Sequence, residues 1–325
     1  MAGADLCEYR GVNRPVDIDE RLVADLIAEQ FPRWAHLPVR AVARQGWDNR
    51  TFRLGDELSV RLPRAEAYAA AVPKESGALE FLDGRLPVAV PSVVALGAPG
   101  PGYPFPWSIR RWLDGDTVER AAGLDRVRLA VDLGAVLRTV RSLPVDAGWA
   151  AGRHSFFRGS HPSVYSDEVH AALQRLDGIL DAELCRSVWL DATSSAWESS
   201  PVWFHGDVAV GNLLVSDGRL SAMIDFGTCG VGDPACDLVM AWTYFDGDAR
   251  DTFRDAVDLD AATWRRARGW GTLEGPGDSL RRVRAGRRRQ PTRAPQGADQ
   301  PALGLRPPVS ARRRWAPRVP RAPRG

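Results

Sequence analysis

Four side chains between residues 202 and 238, VWFHGDVAVGNLLVSDGRLSAMIDFGTCGVGDPACDL, have types and spacing that could do chemistry. His205 stands two residues before Asp207, Asn212 follows five residues later, and Asp225 opens an Asp-Phe-Gly. A carboxylate and an amide are hard oxygen donors of the kind Mg²⁺ takes together with water and phosphate oxygens. A second carboxylate beside them can accept the proton of a hydroxyl. The sequence between them supplies the means of bringing them together. Asp217-Gly218, between NLLVS and RLSAMIDF, is a strong signal for a two-residue hairpin turn. A tight turn sets Asn212 opposite Met223 and Asp225 opposite Val210. At ~3.3 Å per strand residue, both oxygen ligands then lie within about two residues of each other at the open mouth of one ribbon. Asp207 is on the loop feeding that mouth.

Other elements must hold this ribbon. Asp17 with Glu20 reads as a capping box, and Ile18, Leu22, Val23, Leu26, Ile27 and Phe31 then recur at helical spacing until Pro32. The alternating segments 39–45, 50–54 and 58–62, separated by GWDN and GDE, predict an antiparallel meander. Pro73 marks the start of a helix through Leu82, and a strand pair follows around VPSVVALG and PWSIRRW. Beyond the link LDGDTVERAAG the period turns helical. Leu124, Val127, Val131, Val136, Leu137 and Val140 form one stripe, and Val169, Leu173, Leu176 and Leu180 another. Helices resume at Pro234, which Asp233 is placed to cap, and near Asp260, the last being cut off at Gly271.

The order His-Gly-Asp-x-x-x-x-Asn and then Asp-Phe-Gly has the spacing of the protein-kinase catalytic loop and its metal motif. With Gly232-Asp233-Pro234-x-x-Asp237-Leu238 behind it, the stretch resembles the aminoglycoside phosphotransferase family, kin to choline and macrolide kinases. The resemblance implies an α+β, protein-kinase-like two-lobed fold. Residues 1–113 would form a nucleotide-binding lobe around a small antiparallel sheet, and residues 114–270 a mainly helical catalytic lobe. It implies a small-molecule kinase that moves the γ-phosphate of ATP, or alternatively GTP, to a hydroxyl of a small molecule such as an aminoglycoside. Asp207 would act as base, and Asn212 and Asp225 would hold Mg²⁺. Asp237 is expected to tether the loop backbone. Gly206 stands where protein kinases carry Arg, so control by activation-loop phosphorylation is not expected.

The resemblance extends to GWDNRTFRLGDELSVRLPR, similar to the family's nucleotide hairpin, with Gly46 to Asn49 as the turn over the phosphates. Arg61 then takes the phosphate-binding place where a lysine is expected, because Lys74, the chain's one lysine against 42 Arg, lies elsewhere. Arg keeps the charge and grips phosphate with two donors. Glu75 is the expected carboxylate partner of Arg61, with Glu80 as rival. RRWLDG resembles the hinge that binds adenine through the main chain of Arg111 and Leu113. Asp114, Asp116 and Glu119 near the cleft would favour a cationic acceptor.

Each part has a plainer reading. A single Asp-Phe-Gly is more often a turn, a single His a packed core residue, and Arg61 a solvent-facing strand residue. Their joint occurrence, in order and on one predicted hairpin, favours the reactive centre. Gly230-x-Gly232-x-x-Ala235 matches a dinucleotide fingerprint, but Pro234 removes an N–H from the helix start that would hold pyrophosphate. A metal-dependent phosphohydrolase could use His205, Asp207, Asn212 and Asp225 around paired metals. Such sites recruit several histidines, and His36, His154, His161 and His170 fall in no ligand spacing.

The chain of 325 residues, 44% hydrophobic, is long enough for a large two-lobed core. Cys7, Cys185, Cys229 and Cys236 form no C-x-x-C pair, which speaks against a disulfide framework or zinc ribbon. No apolar run approaches the ~20 residues of a membrane helix, and the N-terminus is charged where a signal peptide is apolar. A cytoplasmic monomer without a membrane partner is expected. The net charge of +2 divides unevenly: residues 271–325 hold 14 Arg against 3 acids, or +11, leaving −9 for residues 1–270. With nine Pro and seven Leu, Val, Ile or Phe, this tail reads as disordered. It could serve a non-catalytic nucleic-acid binder through salt-dependent, sequence-blind contacts. The favoured expectation is instead a shifted reading frame of GC-rich DNA that replaced the last helices and impairs activity.

Overall fold

The computed structural model of this chain describes residues 16–46, 48–175 and 181–273. The first helix, α1 (Glu20–Gln30), buries Val23, Leu26 and Ile27 on one face. Its cap is Asp19, not Asp17: the Asp19 carboxylate accepts the Leu22 N–H at 2.8 Å from an extended backbone. Glu20 closes no capping box because its carboxylate takes the Ala41 N–H at 2.8 Å. Asp19→Ala is therefore expected to lower stability by ~1 kcal/mol, read as an earlier urea midpoint with an unchanged slope.

The meander forms as β1 (Val39–Ala41), β2 (Asn49–Leu54) and β3 (Leu58–Pro63). A short α2 (Glu66–Ala69) and α3 (Ala71–Leu82) follow, then β4 (Val93–Gly97) and β5 (Trp107–Arg111). The sheet order is β1-β2-β3-β5-β4 with every neighbour antiparallel. Alternate residues Phe52, Leu54, Leu58, Val60, Leu62 and Ile109 pack with α1 in one apolar cluster. Helix α3 starts at Ala71, two residues before Pro73. Pro is tolerated there because the first-turn N–H groups have no partner within the helix.

The larger part of the chain comprises β6 (Asp116–Thr117), α4 (Arg126–Ser142), α5 (Ser166–Arg175), α6 (Ala182–Ala192) and β7 (Val202–Phe204). It continues through β8 (Leu213–Ser216), β9 (Arg219–Met223), β10 (Gly230–Gly232), α7 (Met240–Thr243), α8 (Gly247–Val257) and α9 (Ala261–Leu273). The predicted stripe on α4 holds at Val136, Leu137 and Val140 and fails at Val127 and Val131. Leu129, Leu133, Val136, Leu137 and Val140 face the core, whereas Val127 and Val131 are 42% and 48% exposed. Of the second stripe, Val169 and Leu173 are buried; Leu176 and Leu180 lie outside the described residues. One core joins Leu79 of α3, Leu137 of α4, Phe204, Met223, Phe226 and Trp270 of α9. Helix α9 thus runs past Gly271 to Leu273 as an integral element, and the predicted tail from residue 274 onward lies outside the described residues.

The Asp217-Gly218 turn is tight, with φ of 51° and 72° as a type I′ turn requires. Its expected register holds for Ser216 with Arg219 and Val215 with Leu220, then shifts: Leu214 pairs with Ala222 and Leu213 with Met223. Ser221 is the extra residue of a β-bulge. Asn212 therefore lies opposite Ile224, whose N–H donates to the Asn212 carbonyl at 2.9 Å, and the predicted pairings with Met223 and Val210 are corrected by one position.

Candidate active site

The loop after β7 is fixed from below. Asp237, buried in the turn Pro234–Leu238, accepts the N–H of His205 at 2.8 Å and of Gly206 at 2.7 Å. Burial raises its carboxyl above the usual range, against the opposing pull of His205 and these two bonds. Gly206 has φ +86°, and a Cβ there would come within 2.9 Å of the Thr228 carbonyl. The arginine of the protein-kinase loop has no room. His205 is buried with both ring nitrogens engaged. Nδ1 accepts the Asp207 N–H at 3.1 Å, and Nε2 donates to the Ile224 carbonyl at 3.0 Å. Its ring meets that of Phe226 edge-on at 4.5 Å. A ring so committed has no lone pair for a metal, which removes the histidine from the paired-metal phosphohydrolase reading.

The loop and hairpin bring Asn212 against Asp207, and Asp207 shares a cavity with Asp225. The Asn212 amide nitrogen donates to the Asp207 carboxylate at 2.7 Å and to the Asp207 carbonyl at 2.9 Å, which leaves the amide oxygen as its free donor atom. Asp225 sits at φ 67° immediately before the turn Phe226–Thr228 and accepts from Arg61 Nη2 at 2.5 Å. Asp207 and Asp225 line one cavity of about 410 Å³, together with Asp48, Asn49, Glu75 and His154. Burial raises the Asp48 carboxyl, and the nearby Asp225 raises it further.

The expected partnership of Arg61 with Glu75 is present but secondary. Glu75 takes Arg110 of β5 through two bonds of 2.9 Å, whereas Arg61 Nη1 is 3.8 Å away. Burial alone would raise the Glu75 carboxyl, but Arg110 and then Arg61 hold it well below the ordinary carboxylate range. Glu80 is exposed on the other side of the helix. At the predicted hinge, the Arg111 N–H is already bonded to the Ser92 carbonyl at 2.9 Å, so only its carbonyl is available. Of the predicted site residues, Arg61, Arg111, Leu113 and Asn212 are not among the cavity-lining residues. Asp114 and Asp116 are exposed, and Glu119 pairs with Arg44. Asp233 caps the Pro234 turn through the Ala235 N–H at 3.0 Å and also binds Arg266 of α9 at 2.6 Å. Arg110 and Arg266 carry no signal in the sequence pattern, Asp48 falls within the predicted Gly46 to Asn49 turn without a role of its own, and His154 joins the site despite fitting no ligand spacing.

Among the described residues, no group of three or more His, Cys, Asp or Glu is arranged to hold a metal. One amide oxygen and one carboxylate suit Mg²⁺, which takes one or two protein oxygens and completes its shell with substrate phosphates and water. No helix among the described residues is long and apolar enough to cross a membrane.

Residues 39–270, more than half of the chain, match the model of the phosphotransferase enzyme family. An aminoglycoside 3'-phosphotransferase from Escherichia coli is 26% identical over 196 residues, 54% of this chain and 65% of that relative's length. The GDP complex of aminoglycoside 2'-phosphotransferase-IIIa superposes with a TM-score of 0.62 at 20% identity, covering 84% of this chain and 94% of that one. Macrolide 2'-phosphotransferase MphH from Brachybacterium faecium gives 0.58 at 21% identity, covering 82% and 93%. These likenesses establish the protein-kinase-like, two-lobed α+β fold.

Proposed function

This chain belongs to the phosphotransferase enzyme family, and from that premise we propose that it moves the γ-phosphate of ATP to a hydroxyl of a small molecule. The observation that carries the reading is Asp207, bonded to Asn212 and lining one cavity with Asp225. Asp207 orients the acceptor hydroxyl and takes its proton. The oxygen so freed forms the new bond to phosphorus as the bond to the β-phosphate oxygen breaks. Asn212 and Asp225 hold Mg²⁺, which supplies charge neutralisation at the phosphates when bound. Arg61, kept near Glu75, binds phosphate oxygens, and Asn49 closes the turn above them. The carbonyl of Arg111 and the main chain of Leu113 receive the base. Residues 1–113 serve the nucleotide and 114–270 the acceptor and the chemistry. GTP is the alternative co-substrate, since the 2'-phosphotransferase-IIIa structure contains GDP.

An aminoglycoside is the first acceptor to test, on the 26% identity to a 3'-phosphotransferase, with a cytoplasmic monomer as the working state. The test is a screen of ATP and GTP consumption over aminoglycosides, macrolides, choline and sugars. It is run on the full chain and on one ending at Leu273, the end of α9. The expected result is stoichiometric appearance of phosphate on one acceptor. Release of phosphate from esters without transfer would reject the reading. Higher turnover by the shorter chain is expected if the Arg-rich segment impairs activity.

A further inference from the structure

The single lysine of a chain with 42 arginines is buried next to the candidate metal ligand. Lys74, 4% exposed on α3, points its Nζ at the carbonyls of Gly227 (2.7 Å) and Cys229 (3.0 Å). It also meets Nδ1 (3.1 Å) and the carbonyl (3.4 Å) of His154. The Gly227 carbonyl belongs to the turn Phe226–Thr228 that directly follows Asp225, and Cys229 is the residue that closes it. The next residue, Glu75, faces the opposite way, toward Arg110 and Arg61, and Arg61 in turn grips Asp225. Two consecutive side chains of α3 therefore hold Asp225 from both sides.

A compact ammonium with three rotatable donors suits acceptors that converge on a point. A planar guanidinium with a rigid fork does not. His154 fits this role: its Nε2 donates to the Ala150 carbonyl at 2.7 Å, which leaves Nδ1 to accept. Burial lowers His154 from its ordinary value, which favours the neutral ring that can accept from Lys74. Burying a cation among neutral acceptors carries a desolvation penalty. The fold incurs it beside Asp225, a non-glycine residue at φ 67° that needs its surroundings to keep it there.

We infer that Lys74 is a positioning residue that fixes the Phe226–Thr228 turn and thereby aims the Asp225 carboxylate for Mg²⁺. The inference rests on the proposed Mg²⁺·nucleotide chemistry. The test measures ADP binding to the full chain by calorimetry across a Mg²⁺ titration, for the wild type, Lys74→Met and Lys74→Arg, with a melting curve for each. Both substitutions are expected to weaken the Mg²⁺-dependent part of binding by about 10- to 100-fold while metal-free ADP binding stays unchanged. Lys74→Gln, which keeps a donor, replaces Lys74→Met if the latter does not fold. A folded variant with wild-type Mg²⁺ dependence, or a Lys74→Arg chain indistinguishable from wild type, overturns the inference. So does failure of all three to fold, which would make Lys74 a residue of the fold alone. Wild-type ADP binding indifferent to Mg²⁺ would instead defeat the proposed function first, and the inference with it.

Discussion

Asp207→Asn is expected to lower kcat by roughly 10²–10⁴-fold, the contribution of a positioned general base. The substitution is chosen for what it preserves. Asn212 donates to one Asp207 carboxylate oxygen at 2.7 Å, and an asparagine can still offer an oxygen there. The backbone N–H of residue 207 keeps its bond to His205 Nδ1, and Asp237 continues to hold the loop from below. The lost capacity is acceptance of the hydroxyl proton. KM for ATP and Mg²⁺-dependent ADP binding should accordingly stay near wild type while turnover collapses. Steady-state kinetics with calorimetry separate the two, and undiminished kcat would reject Asp207 as the base.

The second large effect is on stability. Arg110→Met removes both 2.9 Å bonds from a Glu75 side chain that is 4% exposed, leaving a buried carboxylate with Arg61 at 3.8 Å and the weaker influence of Lys74. Breaking one side of such a pair destabilises by about 3–5 kcal/mol. Glu75 is held below the ordinary carboxylate range in the intact protein. Its contribution is thus complete above the unfolded value of about 4.3 and declines as the pH falls below it. Losing Arg110 removes the largest influence holding that carboxyl down, so the deficit relative to wild type is widest at neutral pH and narrows in acid. Urea unfolding at neutral and acidic pH reads this directly. Adding Glu75→Gln should recover much of the loss, because the uncompensated charge is then gone; a double variant no better than the single one would sink the argument. Arg61 should also turn toward Glu75 in Arg110→Met and away from Asp225, raising KM for ATP.

What was legible in the sequence follows the range of the interactions concerned. Asp207, Asn212 and Asp225 lie within nineteen residues on a loop and one hairpin, so spacing and turn chemistry were enough to gather them. The meander of β1, β2 and β3 was legible for the same reason. The partner of Glu75 was not, because β5 lies beside β3 across more than forty residues of chain. Arg61 and Arg110 are near neighbours only once that pairing exists. Lys74 was set aside as distant from the nucleotide strand, and its acceptors come from a segment some 150 positions away. The one-residue bulge escaped because RLSAM is an ordinary strand by composition, and Ser221 becomes conspicuous only when its pairing is missing. The first half of α4 was misread because Val127 and Val131 match a helical period as well as Leu129 and Leu133 do, and only a packed neighbour decides between two faces.

The unpaired Ser221 has a wider consequence. A β-ribbon has two sides, and each residue added to one arm alone exchanges them, so the hairpin between Asn212 and Asp225 works as a parity counter. Losing or gaining one residue on a single arm turns the carboxylate to the wrong side while leaving every motif letter intact. Lengthening both arms equally restores the count. In this chain, therefore, a string of correct residues is insufficient to specify the proposed magnesium site; the odd or even length of the polypeptide between them is itself part of the design.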